Sequence, residues 1–269
     1  TSYTHDIFGI GRDDTGNLDQ RISKSVNDGK TLLSVALENN FTAANNSTVR
    51  PTGFTNDKQF MIIGSNGDEV NEYTLSTAFD VSTASFVGNF SVASQETQPQ
   101  GLAFNTDGTK MFIAGASGDD INEYTLSTGF DISTASFVDS FSVSAQDTNP
   151  RGIAFNTDGT KMFIVGTDGD DVNEYTLSTG FDVSTASFVD SFSVSAQEAS
   201  PAGIAFNNDG TKMFVVGFSS DSVNEYTLST GFDVSTSSFV DSFSVSAQDT
   251  SPYGIAFNTD GTKMFIVGN

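Results

Sequence analysis

Pro99, Pro150, Pro201 and Pro252 each open nearly the same passage, at a spacing of 51 residues. One unit, Pro150 to Ser200, reads PRGIAFNTDGTKMFIVGTDGDDVNEYTLSTGFDVSTASFVDSFSVSAQEAS. A more divergent unit starts at Pro51 and is three residues shorter, and a partial unit runs from Pro252 to Asn269. The chain therefore reads as an N-terminal β segment, 1–50, followed by repeats over 51–98, 99–149, 150–200, 201–251 and 252–269. Near-copies in tandem offer the same apolar surface to each neighbour, so the fold must stack one small unit or arrange it around an axis.

Inside a unit, turn chemistry and period mark four strands. Gly152 to Phe155 is short and apolar, and Asn156-Thr157-Asp158-Gly159 is a tight-turn signal that predicts a hairpin. Lys161 to Val165 is apolar on both faces and predicts a deep strand. After the turn 166–171, Val172 to Leu177 alternates as a half-buried strand should, and Ser178-Thr179-Gly180 ends it. Ser187 to Val194 alternates again as a wetter, outer strand. Four antiparallel strands in about 50 residues match one blade of a β-propeller. A β-solenoid fits less well, because its rungs are shorter and parallel and lack Asp-Gly hairpins. The expected fold class is all-β, a β-propeller of four-stranded blades.

Closure of the ring is the open question, since the repeats amount to four and a fraction blades. Strand-like runs at Asp6–Gly11, Arg21–Val26 and Thr31–Leu37 could complete the partial unit and make about five blades. Alternatively, residues 1–50 form a separate surface-protein module or pair with a neighbouring molecule, and the exposed edge then predicts self-association into a homo-oligomer or fibre.

Composition excludes several classes. The net charge of −23, from 34 acidic against 11 basic residues, repels nucleic acid and anionic lipid, so neither is an expected partner. There is no Cys, hence no disulfide, thiolate metal site or cysteine nucleophile. No run of about 18 apolar residues predicts membrane insertion, and without a signal-peptide pattern at Thr1 the chain is expected to be a mature or partial one.

Chemistry-bearing motifs are sparse. His5 is the one histidine and is read as a surface residue, so no catalytic residue is assigned. The recurrent acidic turn, with Asp119 and Asp120, Asp168, Asp170 and Asp171, and Asp221, carries oxygen ligands at a spacing that would suit calcium. Its plainer reading is turn geometry and a solvated edge. No other cofactor is expected. Tyr73, Tyr124, Tyr175 and Tyr226, each in Asn-Glu-Tyr, would form either a ring of sugar-stacking platforms or a set of core residues. Lys110, Lys161, Lys212 and Lys263 are expected to pair with a nearby turn aspartate at the surface. Asn40, Asn45, Asn46 and Asn89 begin Asn-x-Ser/Thr glycan acceptor triplets.

The passage PAGIAFNNDGTKMFVVG, residues 201–217, resembles the blade motif of NHL-like and YVTN-like propellers, and the likeness extends over 51–269. The tandem near-identity is similar to that of repeat proteins of bacterial and phage surfaces, which implies adhesion or fibre structure. Residues 5–64 resemble a segment of large secreted surface proteins of Bacteroidetes-type bacteria, which implies an extracellular or cell-surface location. The function expected is non-enzymatic, structural or adhesive, with the chain as a filament protomer. The alternatives are a multivalent propeller binding carbohydrate or calcium and, ranked lower, a glycosidase or lactonase. Fold alone does not decide among them.

Overall fold

A computed structural model describes residues 3–10, 21–27, 31–36, 49–56, 59–64 and 67–268; before Gly67 these are strand backbones, with side chains described at Gln59, Met61 and Ile63. The strands form five sheets. Four are antiparallel and four-stranded, with strands in chain order. In the unit starting at Pro150 they are Pro150–Phe155, Lys161–Gly166, Asp171–Leu177 and Ala186–Ser193. The first such sheet is Val49–Asn56, Gln59–Gly64, Glu69–Leu75 and Ala84–Ser91.

The leading strands of all five sheets pack side by side in a closed circuit. Val49–Asn56 meets Pro99–Phe104, which meets Pro150–Phe155, then Pro201–Phe206, then Pro252–Phe257, which returns to Val49–Asn56. The chain is a five-bladed β-propeller with these strands around its axis. In the fifth blade Pro252–Phe257 and Lys263–Gly268 are joined by Tyr3–Ile10, Arg21–Asn27 and Thr31–Ala36. Tyr3–Ile10 runs parallel to Lys263–Gly268, with Asp6 opposite Lys263 and Ile10 opposite Val267. The N-terminal strands thus lie on the partial last unit within one chain, and they give that blade five strands.

The turn sequence accounts for its own shape. In Asn156-Thr157-Asp158-Gly159-Thr160-Lys161, Gly159 N–H donates to the Asn156 carbonyl at 3.1 Å, and Gly159 takes φ +72°. Asp158 Oδ1 accepts from Thr160 N at 3.0 Å, and Asn156 Oδ1 accepts from Lys161 N at 2.9 Å. Side-chain oxygens therefore satisfy the hairpin's amides. After the third strand, Asp182 caps a short 3-10 turn, Val183–Thr185, by accepting from Ser184 N. This assigns a job to the Asp-x-Ser of each unit.

The core lies between blades. Phe112, Ile121 and Val143 of one blade pack with Met162, Ile164 and Tyr175 of the next, and the same pattern recurs around the ring. The second strand is buried on both faces as its sequence predicts, whereas the outer strand Ala186–Ser193 is mostly exposed. Close approach at the axis needs glycine: a Cβ on Gly152 would lie 2.8 Å from the Ala202 carbonyl oxygen and 2.7 Å from Val165.

The repeated lysine differs from its expected role. Lys110, Lys161 and Lys212 pair with Glu123, Glu174 and Glu225 of Asn-Glu-Tyr at 2.5–2.6 Å, and Glu123 and Glu174 are buried. The turn aspartate is already occupied by Thr160 and its equivalents, and lysine and glutamate stand diagonally on adjacent strands, Lys161 opposite Thr176 and Glu174 opposite Phe163. Lys110 and Lys161 also donate to the carbonyls of Phe181 and Phe232 in the following blade, both at 2.6 Å. In the divergent first blade Gln59 replaces lysine and keeps both bonds, to Glu72 at 2.7 Å and to the Phe130 carbonyl at 3.0 Å.

Candidate functional site

A ring of near-copies presents equivalent groups at equivalent places, so a specific site must lie where the copies differ. The sharpest difference is the residue between proline and glycine at the head of each leading strand: Thr52, Gln100, Arg151, Ala202 and Tyr253. Pairing slips at this residue. Pro150 faces Gly166 and Gly152 faces Val165, and the same shift occurs at Gln100, Ala202 and Tyr253. A bulge re-aims the side chain it carries.

Arg151 shows where these side chains go. Its guanidinium carbon lies 5.0 Å from the Phe218 ring centroid, in the fourth blade, and 5.8 Å from that of Tyr253, in the fifth. Its Nη1 reaches Gln100 Oε1, in the second blade, at 3.4 Å. Arg151 belongs to the third blade. The third and fifth blades are not neighbours in the ring, so this contact crosses the axis. Phe218 and Tyr253 lie 5.1 Å apart, centroid to centroid, and both rings are half-buried, as is Arg151, while Gln100 is buried. Phe218 breaks the repeat as well, standing where other units have Ala116 and Thr167. Burial lowers the Arg151 pKa, partly opposed by Tyr253, Asp147 and Asp168.

Four buried carboxylates stand at this end, at one place in the repeat: Glu96, Asp147, Glu198 and Asp249. Each folds back on the linker between blades. Glu198 accepts from Ser200 N and Ser219 N at 2.9 Å and from Ser220 N at 3.1 Å, and Glu96 likewise holds Gln98, Ser117 and Gly118. Asp147 and Asp249 hold Asn149 N and Ser251 N at 2.7 Å through Oδ1; the Asp168 and Gly169 amides act on the Asp147 carboxylate, and neither Oδ2 makes a close hydrogen bond among the described residues. Burial raises the Asp147 pKa and pushes that of Asp249 up to about 7. Carboxylates turned into a loop in this way serve the loop.

Apart from Asp168, whose charge reaches Arg151, the residues singled out from sequence sit elsewhere. Asp119, Asp170 and Asp221 occupy the left-handed region, with φ of 50°, 53° and 48°, and their carbonyls accept from Val143, Val194 and Val245 of the outer strand's end at 2.8–2.9 Å. Asp120 binds Asn122 Nδ2 at 2.7 Å, Asp171 begins a strand, and Asp168 accepts from Thr148. Among the described residues no three such groups converge as a metal-ligand set. Tyr73, Tyr124, Tyr175 and Tyr226 are buried. Tyr226 is held edge-on between Phe192 and Phe239, each at 5.7 Å. These rings belong to the core and offer no platform to a sugar, because the outer strand's phenylalanine covers the face that a sugar would use.

Asn89 is exposed on an outer strand, with its amide on Glu69 Oε2 at 2.5 Å. Asn40, Asn45 and Asn46 lie outside the described residues, and His5 is described as strand backbone opposite Lys24. Among the described residues no helix is long and apolar enough to cross a membrane. The axial cluster leaves no mark in what repeats. Its signal was the opposite, a position running Gln, Arg, Ala, Tyr between invariant Pro and Gly.

Fold and site together define a β-propeller with an asymmetric cluster on its axis, and comparison with known proteins agrees on the fold. A propeller in a crystal structure of a nidogen/laminin complex superposes with a TM-score of 0.56 at 14% identity, covering 94% of this chain and 97% of that one. A candidate 6-phosphogluconolactonase from Bacteroides uniformis gives 0.52 at 14% identity, covering 93% and 70%. A protein of unknown function from Desulfotomaculum acetoxidans gives 0.51 at 13% identity, covering 98% and 73%. Identities this low carry the fold alone. A family model described as a domain of unknown function (DUF8202) matches residues 1–112. No curated protein matches the sequence.

Proposed function

We propose that this chain is a non-enzymatic recognition propeller of an extracellular or cell-surface protein, adhesive in role, which binds its ligand at the axial cluster of Gln100, Arg151, Phe218 and Tyr253. The observation that carries the reading is the concentration of sequence difference there: the blades are near-copies, yet four unlike side chains from four blades meet at the axis. Selection for a stable ring alone would be served by the same residue in every blade. Closure of the ring by the chain's own strands supports recognition ahead of fibre assembly, since the partial last unit has a partner in cis. The extracellular placement draws on the surface-protein resemblance of residues 5–64 and on the acidity.

A filament protomer is the second reading. It is favoured by the exposed Phe86, Phe137, Phe188 and Phe239 at equivalent places on the outer strands. Ligand-observed NMR against a panel of saccharides, amino acids and small organic acids tests the first reading. Signals seen with the wild type and lost with Arg151→Ala, Phe218→Ala and Tyr253→Ala combined support it, and signals indifferent to those changes place binding elsewhere. Sedimentation across a dilution series tests the second, which requires persistent oligomers.

A further inference from the structure

Resting on that reading of the axis, we infer that the cluster takes a small monocarboxylate carrying a ring, with the carboxylate on Arg151 and the ring against Phe218 and Tyr253. The first ground is an arginine without a contacting counter-ion. In a chain of net charge −23 the ion pairs among the described residues join lysine to glutamate, and Arg151 is in none of them. Its Nε is buried with no hydrogen-bond partner among the described residues, and its other polar contacts are with neutral groups, Gln100 Oε1 at a long 3.4 Å and the Tyr253 side chain. A guanidinium is a planar fork of donors matched to a carboxylate, and taken partly out of water it gains most from an anion in contact.

The second ground fixes the charge of that anion. Asp147 and Asp168 act on Arg151 through space, and the carboxylates Glu96 and Glu198 stand at the equivalent place in neighbouring units. Their field disfavours a dianion such as a phosphate monoester, and the net charge repels polyanions before they arrive. One negative charge is what a single arginine can hold in these surroundings. The third ground is the wall. The half-buried rings of Phe218 and Tyr253 give apolar surface beside the guanidinium.

Calorimetric titration with glucuronate, benzoate, glucose and glucose 6-phosphate tests the assignment, each probe being run against the wild type, Arg151→Met and Arg151→Lys, with melting temperature as the folding control. Binding of one or both carboxylates, at least tenfold tighter than glucose and glucose 6-phosphate and weakened at least tenfold in folded Arg151→Met, is the expected result. Arg151→Lys keeps the charge without the fork and should fall between; it is the informative variant if Arg151→Met does not fold. Glucose binding as tightly as glucuronate, unaffected by Arg151→Met yet lost in Tyr253→Ala, overturns the carboxylate assignment while leaving the axial site standing. Carboxylate binding indifferent to Arg151, Phe218 and Tyr253 together overturns both. No response to either carboxylate overturns the assignment, and the wider panel then decides the site.

Discussion

Glu174 accepts the N–H of Val234, 60 residues ahead in the following blade, at 3.0 Å through Oε2 while its Oε1 holds Lys161 at 2.6 Å. Because Lys161 also reaches the Phe232 carbonyl at 2.6 Å, one ion pair bolts two blades together by two bonds. Removing the lysine strands a buried carboxylate. Lys161→Met should therefore destabilise the propeller by about 3 kcal/mol. Lys212 pairs with a more exposed glutamate, 17% against 3% accessible, so Lys212→Met should cost about 1 kcal/mol. Urea unfolding midpoints of the two variants check the order.

Asp249 gives stability a pH dependence of defined sign. Its carboxyl is pushed up to about 7 by burial, with the Ser251 amide only partly opposing this. Between the ordinary aspartate value near 4 and pH 7 the folded chain therefore holds a proton that the unfolded chain has released. Its contribution falls as pH rises through that window and is flat above it, an effect on the order of 4 kcal/mol. Asp107, Asp158, Asp209 and Asp260, lowered by the threonine two residues on, act in the opposite sense below that window, where acid removes their contribution. Asp249→Asn should be more stable than the wild type at pH 8 and nearly equal to it at pH 4, as read by melting temperature across pH.

The alternation of Glu96, Asp147, Glu198 and Asp249 contains its own experiment. Glu96 and Glu198 hold the amides of the next turn at 2.9–3.3 Å, whereas Asp147, one methylene shorter, holds the equivalent amides of Asp168 and Gly169 more loosely. A well-made hydrogen bond contributes about 0.5–1.5 kcal/mol, so Asp147→Glu should stabilise the chain by up to that amount. The surrounding glycine is the same in each unit, Gly115, Gly166, Gly217 and Gly268, which leaves room for the longer side chain. Calorimetric melting of the single variant decides it.

Much of this architecture could be read from the chain. Asn156-Thr157-Asp158-Gly159 fixed a hairpin because local hydrogen bonds define that turn, and the doubly buried Lys161–Val165 followed from an unbroken apolar run. What could not be read depended on contacts between blades. The partner of Lys161 was misjudged because a turn aspartate is near in sequence, while Glu174 is near only once the strands pair. Asn-Glu-Tyr leaves its tyrosine open between a surface platform and the core, and contacts with neighbouring blades decide for the core. The N-terminal strands were legible as strands, but the parallel pairing of Tyr3–Ile10 with Lys263–Gly268 requires the ring to exist first.

The same turn also separates backbone strain from packing. Gly159 and Gly261 sit in identical Asn-Thr-Asp-Gly turns with φ of +72° and +69°. Over Gly159 lies the ring of Phe181, a residue held at φ 58° with its N–H on the Gly159 carbonyl at 3.0 Å, and a Cβ there would strike that ring. Over Gly261 a Cβ would meet nothing within 4 Å among the described residues. Gly261→Ala should then cost only the left-handed backbone term, about 1–2 kcal/mol. Gly159→Ala adds displacement of Phe181, whose ring stands 5.4 Å from Phe155 and 6.3 Å from Phe112, and overpacking of that kind adds about 1–3 kcal/mol. Unfolding free energies of the two alanine variants should differ by that second amount, and equal values would mean that Phe181 yields without loss.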